Sequence, residues 1–576
     1  MRLTDSQRQA VEVSGHSLIS ACPGAGKTRV LSSRAAHLLN TNQENRVVTV
    51  TFTRDSAQEL EGRIKKQTNK TRGRLLAGTF HALCLRQIRG NIMRGYRLIS
   101  AGEQSSIVRR AISRAKLDGV LSYEDAVEAI STYKSSINPK VKPDEAGEIF
   151  RSYQHILDRE HMIDFSDIVI LAVMGMKNGK VAPIPATHML VDEAQDMDQV
   201  QYAWIKCHSD NGTETLLVGD DDQSIYGWRH ALGYEGLMQF KAEHKAKHIT
   251  LAHNFRSEQA IIHHAGLLIQ NNKNRVQKDF VCTSDKKGII EVVRHSNEEN
   301  QAKSIAALAE DKEEWAVLGR TNKALDLVEL AFLAAKLPYT RIGGSSLWDR
   351  DVAAVYLAFL ESLEDNHAGG IGTVLHWAGI NDMTIASIDP KATLEEGLKT
   401  VYSKLEDDPG SKPAARFVSK LIAMIPQWLS LLKNGRTSLV CGGVAVCLEE
   451  QVKGNKRMLL NRASSVIAAL SGTLKQRMAF VRNSGKKNEN KPIEANVPKT
   501  ILMTMHASKG LEFDCVSVVS CVEGFSPHLD SPLDEERRLM YVAMTRARHR
   551  LVLHVPLVDS DNAAYTISRF IKEAGL

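Results

Sequence analysis

Short apolar runs recur between helical patterns along this chain, and they constrain its fold more than any other feature. Fully apolar strands that alternate with helices are typical of parallel sheets covered on both faces. A first series of such runs lies at residues 17–21, 47–53, 188–191, 215–219 and 248–251, and a second at 289–293, 315–319, 501–505, 515–519 and 551–555. Two separate series predict an α/β protein with two parallel-sheet cores.

Two blocks with helical patterns and few strand patterns interrupt these series, at about residues 85–164 and 361–495. Strand patterns resume after each block, so each block is predicted to be a mainly helical insertion within a core. The second block ends in a polar segment, residues 482–492, that is typical of a linker. The sequence therefore predicts a first core at 1–84 and 165–255 with an insertion at 85–164, and a second core at 256–360 and 496–576 with an insertion at 361–495.

The composition is that of a globular protein, and it excludes several other classes. Of the 576 residues, 43% are hydrophobic and 24% are charged, close to the average of folded soluble proteins. No apolar stretch approaches the ~20 residues of a membrane helix, and the first residues carry no signal-peptide core. The eight cysteines form no Cys-x-x-Cys pair, which disfavours a zinc or iron–sulfur site. We expect a cytoplasmic protein, and its net charge of +7 tolerates a polyanionic partner.

A strand, a glycine-containing turn and a helix start at residues 17–28 form the strongest chemical motif. Backbone amides at such a helix start can cradle phosphates, the Lys27 ammonium can reach the β- and γ-phosphates, and the Thr28 hydroxyl can ligate Mg²⁺. One position departs from the usual pattern, because Ala21 stands where the motif begins with glycine. The predicted phosphate-binding residues are Pro23, Gly24, Ala25, Gly26, Lys27 and Thr28.

The apolar run 188–191 leads directly into two acidic residues, Asp192 and Glu193. The carboxyl end of a buried parallel strand is where the magnesium-coordinating partner of a phosphate loop is expected. We therefore predict that Asp192 and Thr28 form the metal site and that Glu193 polarises the attacking water. The predicted cofactors are ATP and Mg²⁺.

Further segments follow in an order that is typical of one family of motor enzymes. They lie at residues 3–7, 51–54, 78–81, 163–167, 218–229, 254–257, 504–513, 523–527 and 535–547. With the two motifs above, the chain closely resembles the UvrD/Rep family of superfamily 1A DNA helicases, except in the two helical blocks. The resemblance implies two RecA-like motor cores, each interrupted by a mainly helical insertion, and a DNA-stimulated ATPase.

The resemblance also implies roles around ATP for individual residues. The implied ATP contacts outside the phosphate loop are Gln7 for the adenine edge, Arg29 and Phe255 on either side of the base, and Glu512 on the ribose. The implied catalytic residues are Lys27, Asp192, Glu193, Gln223 as the γ-phosphate sensor, and Arg256 and Arg546 as arginine fingers supplied by the second core or its boundary. Fingers that reach across a cleft make hydrolysis depend on cleft closure, which is what a motor requires.

A path for single-stranded DNA is implied as well, and such a path needs aromatic platforms and phosphate contacts. The implied contacts are Phe52, Thr53, His81, Tyr226, Trp228 and Arg229 on the first core, and Arg320, Asn322, Thr504 and His506 on the second. Because Tyr226 and Trp228 closely follow Gln223, nucleotide state and base stacking could be coupled. The expected partners are single-stranded DNA and junctions between single- and double-stranded DNA.

The resemblance implies a 3′→5′ single-stranded-DNA translocase and helicase that serves DNA repair, replication or defence. The stretch that corresponds to the duplex-splitting hairpin of the family, about residues 554–567, offers only Tyr565 as an aromatic wedge. A second interpretation therefore stays open: a nucleotide-switched DNA-binding subunit, similar to the helicase-like subunit of Gabija defence systems, that regulates a partner nuclease or repair factor and unwinds little by itself. No nuclease motif is evident in the sequence, so this interpretation requires a partner.

Overall fold

The computed structural model of the chain describes residues 3–309, 313–344, 346–349, 351–406, 409–452, 455–484, 500–559 and 561–576. The chain forms two compact units. Unit 1 comprises Met1–Arg256 and Ile269–Asp285, and unit 2 comprises Ser257–Leu268 and Lys286–Leu576. The range 256–360 predicted for the second core is thus divided between the units, and the six-segment subdivision stays a prediction. Residues 485–492 of the predicted linker lie outside the described residues.

Unit 1 is built on a six-stranded parallel sheet. The strands of the unit are β1 (Ser17–Ala21), β2 (Val47–Thr51), β3 (Leu75–Thr79), β4 (Arg97–Leu98), β5 (Met162–Ile163), β6 (His188–Val191), β7 (Glu214–Gly219), β8 (Lys247–Leu251), β9 (His253–Asn254) and β10 (Val281–Cys282). The main sheet has the order β3-β2-β6-β7-β1-β8, and every neighbouring pair in it is parallel. The pairs β4–β5 and β9–β10 are separate two-stranded ladders.

Helices cover both faces of this sheet. The helices of unit 1 are α1 (Asp5–Glu12), α2 (Lys27–Thr41), α3 (Arg54–Gln67), α4 (Phe80–Ile88), α5 (Ala101–Ala115), α6 (Tyr123–Lys134), α7 (Glu145–Arg159), α8 (Phe165–Lys177), α9 (Gln199–Asp210) and α10 (Gly233–Glu243). One face packs against α4, α8, α9 and α10, with Trp204 fully buried there, and the other against α1, α2 and α3, with Leu31 fully buried there. Burial on both faces explains why the central strands are mostly apolar.

The helices α5, α6 and α7 form a small core of their own, and a buried ion cluster joins them to the rest of unit 1. Nζ of Lys134 on α6 lies 2.7 Å from Oδ2 of Asp164 and 2.8 Å from Oδ1 of Asp167. The Tyr153 hydroxyl on α7 donates to Asp164 at 3.0 Å. Because Asp164 also caps α8, this cluster holds the helical insertion to the helix that re-enters the first core.

Unit 2 contains a second six-stranded parallel sheet. Its strands are β11 (Ile289–His295), β12 (Trp315–Gly319), β13 (Thr340–Ile342), β14 (Thr500–Thr504), β15 (Phe513–Val518) and β16 (Ala547–Pro556). They have the order β11-β16-β15-β12-β14-β13, and all neighbouring pairs are parallel. The two sheets confirm the predicted α/β class with two parallel-sheet cores.

Helices make up most of the remainder of unit 2. They are α11 (Gln259–Ile269), α12 (Glu298–Leu308), α13 (Asp326–Ala334), α14 (Asp351–Asp365), α15 (Gly372–Trp377), α16 (Asp382–Ile385), α17 (Leu394–Glu406), α18 (Lys412–Lys433), α19 (Thr437–Glu449), α20 (Asn455–Ala469), α21 (Leu474–Asn483), α22 (Leu533–Met544) and α23 (Arg569–Glu573). The run α14 to α21 shares one apolar core that includes Tyr356 and Trp428. In the described part of the chain, no helix is both long enough and apolar enough to cross a membrane.

Candidate nucleotide and DNA sites

The phosphate loop leaves β1 at Ala21 and leads into α2, whose first residue is Lys27. Gly24 and Gly26 have φ values of 66° and 78°, in the left-handed region that glycine adopts without steric cost. Gly24 also allows a close approach, because a Cβ atom there would lie 2.6 Å from Cβ of Arg256. The first turn of a helix leaves N–H groups without intrahelical acceptors, which is the backbone feature that binds phosphate.

Gln7 connects the N-terminal helix to this loop. Oε1 of Gln7 accepts a hydrogen bond from the backbone N–H of Thr4 at 3.1 Å, and its Nε2 donates to the Ala25 carbonyl at 3.0 Å. These two bonds leave one Nε2 hydrogen and one Oε1 lone pair of the amide available for further hydrogen bonds. Arg29, which is predicted to flank the base, lies on the first turn of α2 and is partly buried. Gln7 and Arg29, two of the three predicted contacts of the base, thus lie beside the phosphate loop.

Asp192 and Glu193 follow β6, at the same edge of the sheet as the phosphate loop. Nζ of Lys27 lies 3.4 Å from Oε2 of Glu193. Burial, followed by the charge of Glu193, raises the pKa of Asp192 to about 7, while Lys27 opposes this shift. A buried carboxyl group in this position fits a divalent-cation site, because a bound cation favours its charged form. The residues present are therefore compatible with Mg²⁺-ATP.

Gln223 ends a turn of three consecutive carboxylates that follows β7. Asp220, Asp221 and Asp222 are all buried. Nε2 of Gln223 donates to Oδ2 of Asp220 at 2.6 Å, so this carboxylate orients the amide of the predicted γ-phosphate sensor. The position of Gln223 therefore depends on how the three charges are held.

Two basic residues that were not predicted as site residues hold these charges. Nζ of Lys278, whose side chain is 0% exposed, lies 2.6, 2.7 and 3.0 Å from carboxylate oxygens of Asp220, Asp221 and Asp222. Arg275 donates to both oxygens of Asp222, at 2.8 and 2.7 Å. The converging carboxylates have the arrangement of a metal site, but the ammonium group occupies its centre. Three aspartates that follow a buried strand require nearby cations, so the sequence could have indicated that such partners exist, but not that Lys278 and Arg275 are those partners.

The segment that follows β9 packs directly on the phosphate loop. Nδ2 of Asn254 donates to the Pro23 carbonyl at 2.6 Å, and the backbone N–H of Phe255 donates to the Gly24 carbonyl at 3.1 Å. The Phe255 side chain remains exposed. Arg256 is the last residue of this part of unit 1, and its backbone N–H is held by Asn254 at 3.1 Å. Unit 1 thus brings two further predicted ATP-site residues to the loop.

An aromatic pair, of which Trp228 is exposed and Tyr226 half-buried, follows the Gln223 turn. Trp228 is 60% exposed, and the guanidinium carbon of Arg229 lies 4.4 Å from the centroid of its ring. The Tyr226 ring stands edge-on to Trp228, with 6.4 Å between the centroids. An exposed indole with a cation above its face suits both base stacking and phosphate neutralisation.

The other predicted DNA contacts of unit 1 follow β2 and β3. Phe52 packs edge-on against Phe80 at 5.4 Å, and Thr53 caps α3. His81 stacks on Phe165 with 3.8 Å between the ring centroids, and Phe165 is 58% exposed. Burial lowers the pKa of His81 to about 4, so its ring is uncharged at neutral pH. Phe165 was not predicted as a contact, and only the structure shows that its ring covers His81.

In unit 2, the predicted DNA contacts share the carboxyl edge of the sheet. Arg320 and Asn322 follow β12, and Thr504 and His506 lie at the end of β14, which is the parallel neighbour of β12. Nε of Arg320 donates to Oε1 of Glu536 at 2.8 Å, so a buried carboxylate orients this guanidinium.

The predicted ATP contacts of unit 2 lie at the opposite, amino edge of the same sheet. Glu512 precedes β15 and Arg546 precedes β16. Arg546 is 1% exposed, and its guanidinium donates to the carbonyl oxygens of Leu511 and Val542, both at 3.0 Å. Oε1 of Glu512 accepts from Arg548 at 2.7 Å. Both side chains are therefore fixed by neighbours within unit 2.

The segment after β16 contains the predicted wedge residue. Backbone hydrogen bonds join Asp559 to Ala563 and Tyr565 to Leu557, both at 2.9 Å. The Tyr565 hydroxyl donates to Glu298 at 2.8 Å, and its ring packs edge-on against Phe525 at 5.6 Å. Tyr565 is thus packed within unit 2, and a wedge role would require it to leave these contacts.

In unit 1, strand β1 of a parallel sheet leads into a glycine-containing loop and a helix, and a buried carboxylate follows another strand. This arrangement defines a P-loop nucleoside triphosphatase. The model of the UvrD/REP helicase N-terminal domain matches residues 3–245, and that of the UvrD-like helicase C-terminal domain matches 249–371 and 455–556. The chain belongs to the UvrD/REP helicase family. It is accordingly an enzyme, a DNA-stimulated ATPase and DNA helicase by class.

Curated relatives match along almost the whole chain. DNA helicase II of Haemophilus influenzae is 27% identical over 96% of this chain and 83% of its own length. ATP-dependent DNA helicase PcrA of Staphylococcus epidermidis is 25% identical over 99% and 86%, and ATP-dependent DNA helicase Rep of Buchnera aphidicola is 27% identical over 96% and 91%. The chain is similar to each of these three proteins.

Proposed function

We propose that this chain is a 3′→5′ translocase on single-stranded DNA that couples ATP hydrolysis to strand movement and unwinds duplexes at suitable junctions. One observation carries the proposal: the turn from Asp220 to Trp228 joins the predicted γ-phosphate sensor to the aromatic pair and its exposed Trp228 within a few residues. A change in the position of Gln223 is therefore transmitted over a short, partly buried segment to the side chain on which a base can stack.

Unit 1 supplies the residues that would hold Mg²⁺-ATP. The start of α2 and Lys27 bind the phosphates, while Thr28 and Asp192 would hold the cation, which supplies charge neutralisation at the phosphates. Glu193 orients the attacking water and accepts its proton. Phe255 and Arg29 enclose the base, and the remaining hydrogen-bonding capacity of Gln7 reads its edge.

Unit 2 supplies the dependence on DNA. Its predicted ATP contacts, Glu512 and Arg546, lie at one edge of the sheet, and its predicted strand contacts, including Thr504 and His506, lie at the other. Residues 505–512 run from the end of β14 to the start of β15 and so join the two edges. This segment is suited to couple strand binding to the placement of the arginine finger Arg546.

The second candidate is a nucleotide-switched DNA-binding subunit that regulates a partner nuclease or repair factor. The contacts of Tyr565 with Glu298 and Phe525 favour it, because an aromatic residue held in this way does not split a duplex without rearrangement. This candidate shares the ATP and DNA sites of the first and differs only in its output.

Unwinding by the purified chain separates the two candidates. Duplexes with a 3′ or a 5′ single-stranded tail, in DNA and in RNA, are mixed with ATP in single-turnover assays. Unwinding of the 3′-tailed DNA alone supports the translocase and helicase. ATP hydrolysis without unwinding, restored by a partner, supports the regulatory subunit, and unwinding from 5′ tails or a preference for RNA contradicts the proposal.

A further inference from the structure

A basic groove lies at the amino ends of β2 and β3, away from the predicted ATP and DNA contacts of unit 1. A cavity of about 490 Å³ there is lined by Arg46, Arg74 and Arg86, with no carboxylate among the described residues that line it. A second cavity of about 500 Å³ shares Asn91 with the first and adds Arg94 and Lys180. Again, none of its described lining residues is acidic. We call these two cavities the basic groove.

Four cationic side chains of the basic groove lack counter-charges. Within the described ranges, no hydrogen bond or ion pair holds the side chains of Arg46, Arg86, Arg94 and Lys180. Some other exposed cations of the unit are paired, such as Arg63 with Glu59 and Lys65 with Glu61 on α3. The groove is distinguished by the fact that its unpaired cations line two adjoining cavities without a described acidic residue. Several cations close together without counter-charges repel one another, so the groove gains free energy when an anion enters it.

The walls of the basic groove are apolar and well anchored. Leu75, Leu76 and Ile184 line the larger cavity. Gln87 fixes the wall that leads to β6, because its Nε2 donates to the Ala182 carbonyl at 3.1 Å and its Oε1 accepts from the indole of Trp204 at 2.7 Å. A wall of this kind offers a preformed surface to apolar side chains between the arginines.

The basic groove is separate from the predicted DNA path. Arg46 directly precedes β2 and Arg74 directly precedes β3, whereas Phe52 and His81 come after these strands. Each strand has five residues, and at about 3.3 Å per residue the two edges are about 16 Å apart. A strand bound along the carboxyl edge therefore leaves the groove open.

We propose that the basic groove binds an acidic peptide segment of a partner protein, in which Asp or Glu residues alternate with apolar ones. The carboxylates would pair with the four unpaired cations, and the apolar side chains would enter between Leu75, Leu76 and Ile184. A DNA duplex is the other polyanion to consider, but its phosphates would leave this apolar wall unused. The proposal goes beyond the motor activity and does not depend on it.

A displayed library of random twelve-residue peptides, selected on the full chain, tests this inference. We expect enrichment of peptides that combine Asp or Glu with Leu, Ile or Phe. An enriched peptide is then labelled with fluorescein, and its affinity is measured by anisotropy for the wild type and for the double variant Arg46→Glu/Arg86→Glu. Binding should weaken about tenfold or more in this variant, and it should weaken with rising salt.

The control variant Arg114→Glu/Arg159→Glu reverses two exposed arginines of the helical insertion and should leave peptide binding unchanged. Both variants should retain DNA-stimulated ATP hydrolysis, which reports that unit 1 is folded. The inference is overturned if no acidic peptide is enriched, or if the groove variant and the wild type bind it equally. It is also overturned if the groove variant instead loses affinity for a 20-base-pair DNA duplex.

Discussion

The sheet of unit 1 carries its predicted ATP contacts and its predicted DNA contacts at one edge, whereas the sheet of unit 2 has the two kinds of contact at opposite edges. In unit 1, Lys27, Asp192 and Trp228 all follow the carboxyl ends of strands. In unit 2, Arg320 follows the carboxyl end of β12, but Arg546 precedes β16. In a parallel sheet the carboxyl ends of all strands lie at the same edge, so residues that precede strands and residues that follow them lie at opposite edges.

Under the proposed function, the difference gives the units distinct tasks. Unit 1 would couple its predicted nucleotide and DNA contacts through one short turn. Unit 2 would transmit a change across the length of its strands, where Arg546 is held by two carbonyl groups and Glu512 by Arg548.

Lys27→Ala should have the largest effect, because it removes the charge that is predicted to neutralise the transferred phosphoryl group in unit 1. We expect ATP hydrolysis to fall by about three orders of magnitude, with single-stranded-DNA binding largely retained. Steady-state ATPase assays and DNA anisotropy measure the two quantities. Lys65→Ala, which removes an exposed lysine paired with Glu61, is the control. Unimpaired DNA-stimulated hydrolysis in the Lys27 variant would refute the site.

Arg546→Lys tests the contribution of unit 2 to catalysis. A lysine cannot reproduce both hydrogen bonds of the guanidinium, so we expect kcat to fall by about a thousandfold while the KM for ATP changes little. Arg550→Lys, at an arginine paired with Glu291, is the matched control. Thermal denaturation verifies that the variant is folded. A normal kcat would mean that the guanidinium serves only the packing of unit 2.

Lys278→Met tests whether the charges behind Gln223 must be neutralised. Loss of a buried partner should lower the free energy of unfolding by about 3–5 kcal/mol. Burial already raises the pKa of Asp221. Without the ammonium, the folded state binds more protons than the unfolded state. The loss in free energy of unfolding relative to the wild type should therefore shrink as the pH falls from 8 to 5.

Urea denaturation of this variant across the pH range measures both effects. Lys65→Met, at an exposed ion pair, should cost at most about 1 kcal/mol and show no such recovery. If Lys278→Met lowers the free energy of unfolding by the same amount at every pH, the stabilisation by Lys278 comes from packing and not from charge.

Trp228→Ala and Arg320→Ala should have the smallest effects and should differ in kind. Loss of the stacking platform in unit 1 should weaken single-stranded-DNA binding by about 1–3 kcal/mol without changing its salt dependence. Loss of the cation in unit 2 should weaken binding less and reduce the salt slope by about 1. Titrations at several salt concentrations distinguish them, with Met383→Ala at an exposed apolar residue as the control. Identical salt slopes would contradict the separate roles.

Much of the fold could be predicted because its determinants are local. All ten predicted apolar runs fall on strands of the two main sheets, and nine of them lie within two residues of the observed ends, whereas the run 551–555 begins four residues after the start of β16. The edge strands β3 and β13 were not predicted, since both are largely half-buried and lack the continuous apolar pattern of central strands. The phosphate loop was likewise readable, because its turn, its lysine and its helix start are contiguous.

The partners of the site residues could not be predicted from the sequence in the same way. Lys278 neutralises Asp220 across 58 residues, and Ser257 reaches the Ala547 carbonyl across 290 residues. Phe165 covers His81 only because α8 returns beside α4 after the helical insertion. Contacts of this range depend on how elements pack, and no spacing in the chain records them.

The sequence by itself determined that two parallel sheets form and that one of them opens into a phosphate loop, because apolar periodicity and short motifs act through neighbouring residues. Only the tertiary structure decided which strands lie side by side, which sheet edge carries each contact, and which cations neutralise the buried carboxylates. The physical reason is that strand order, burial and charge pairing join residues far apart in the chain, and their free energies arise only when the whole unit is packed.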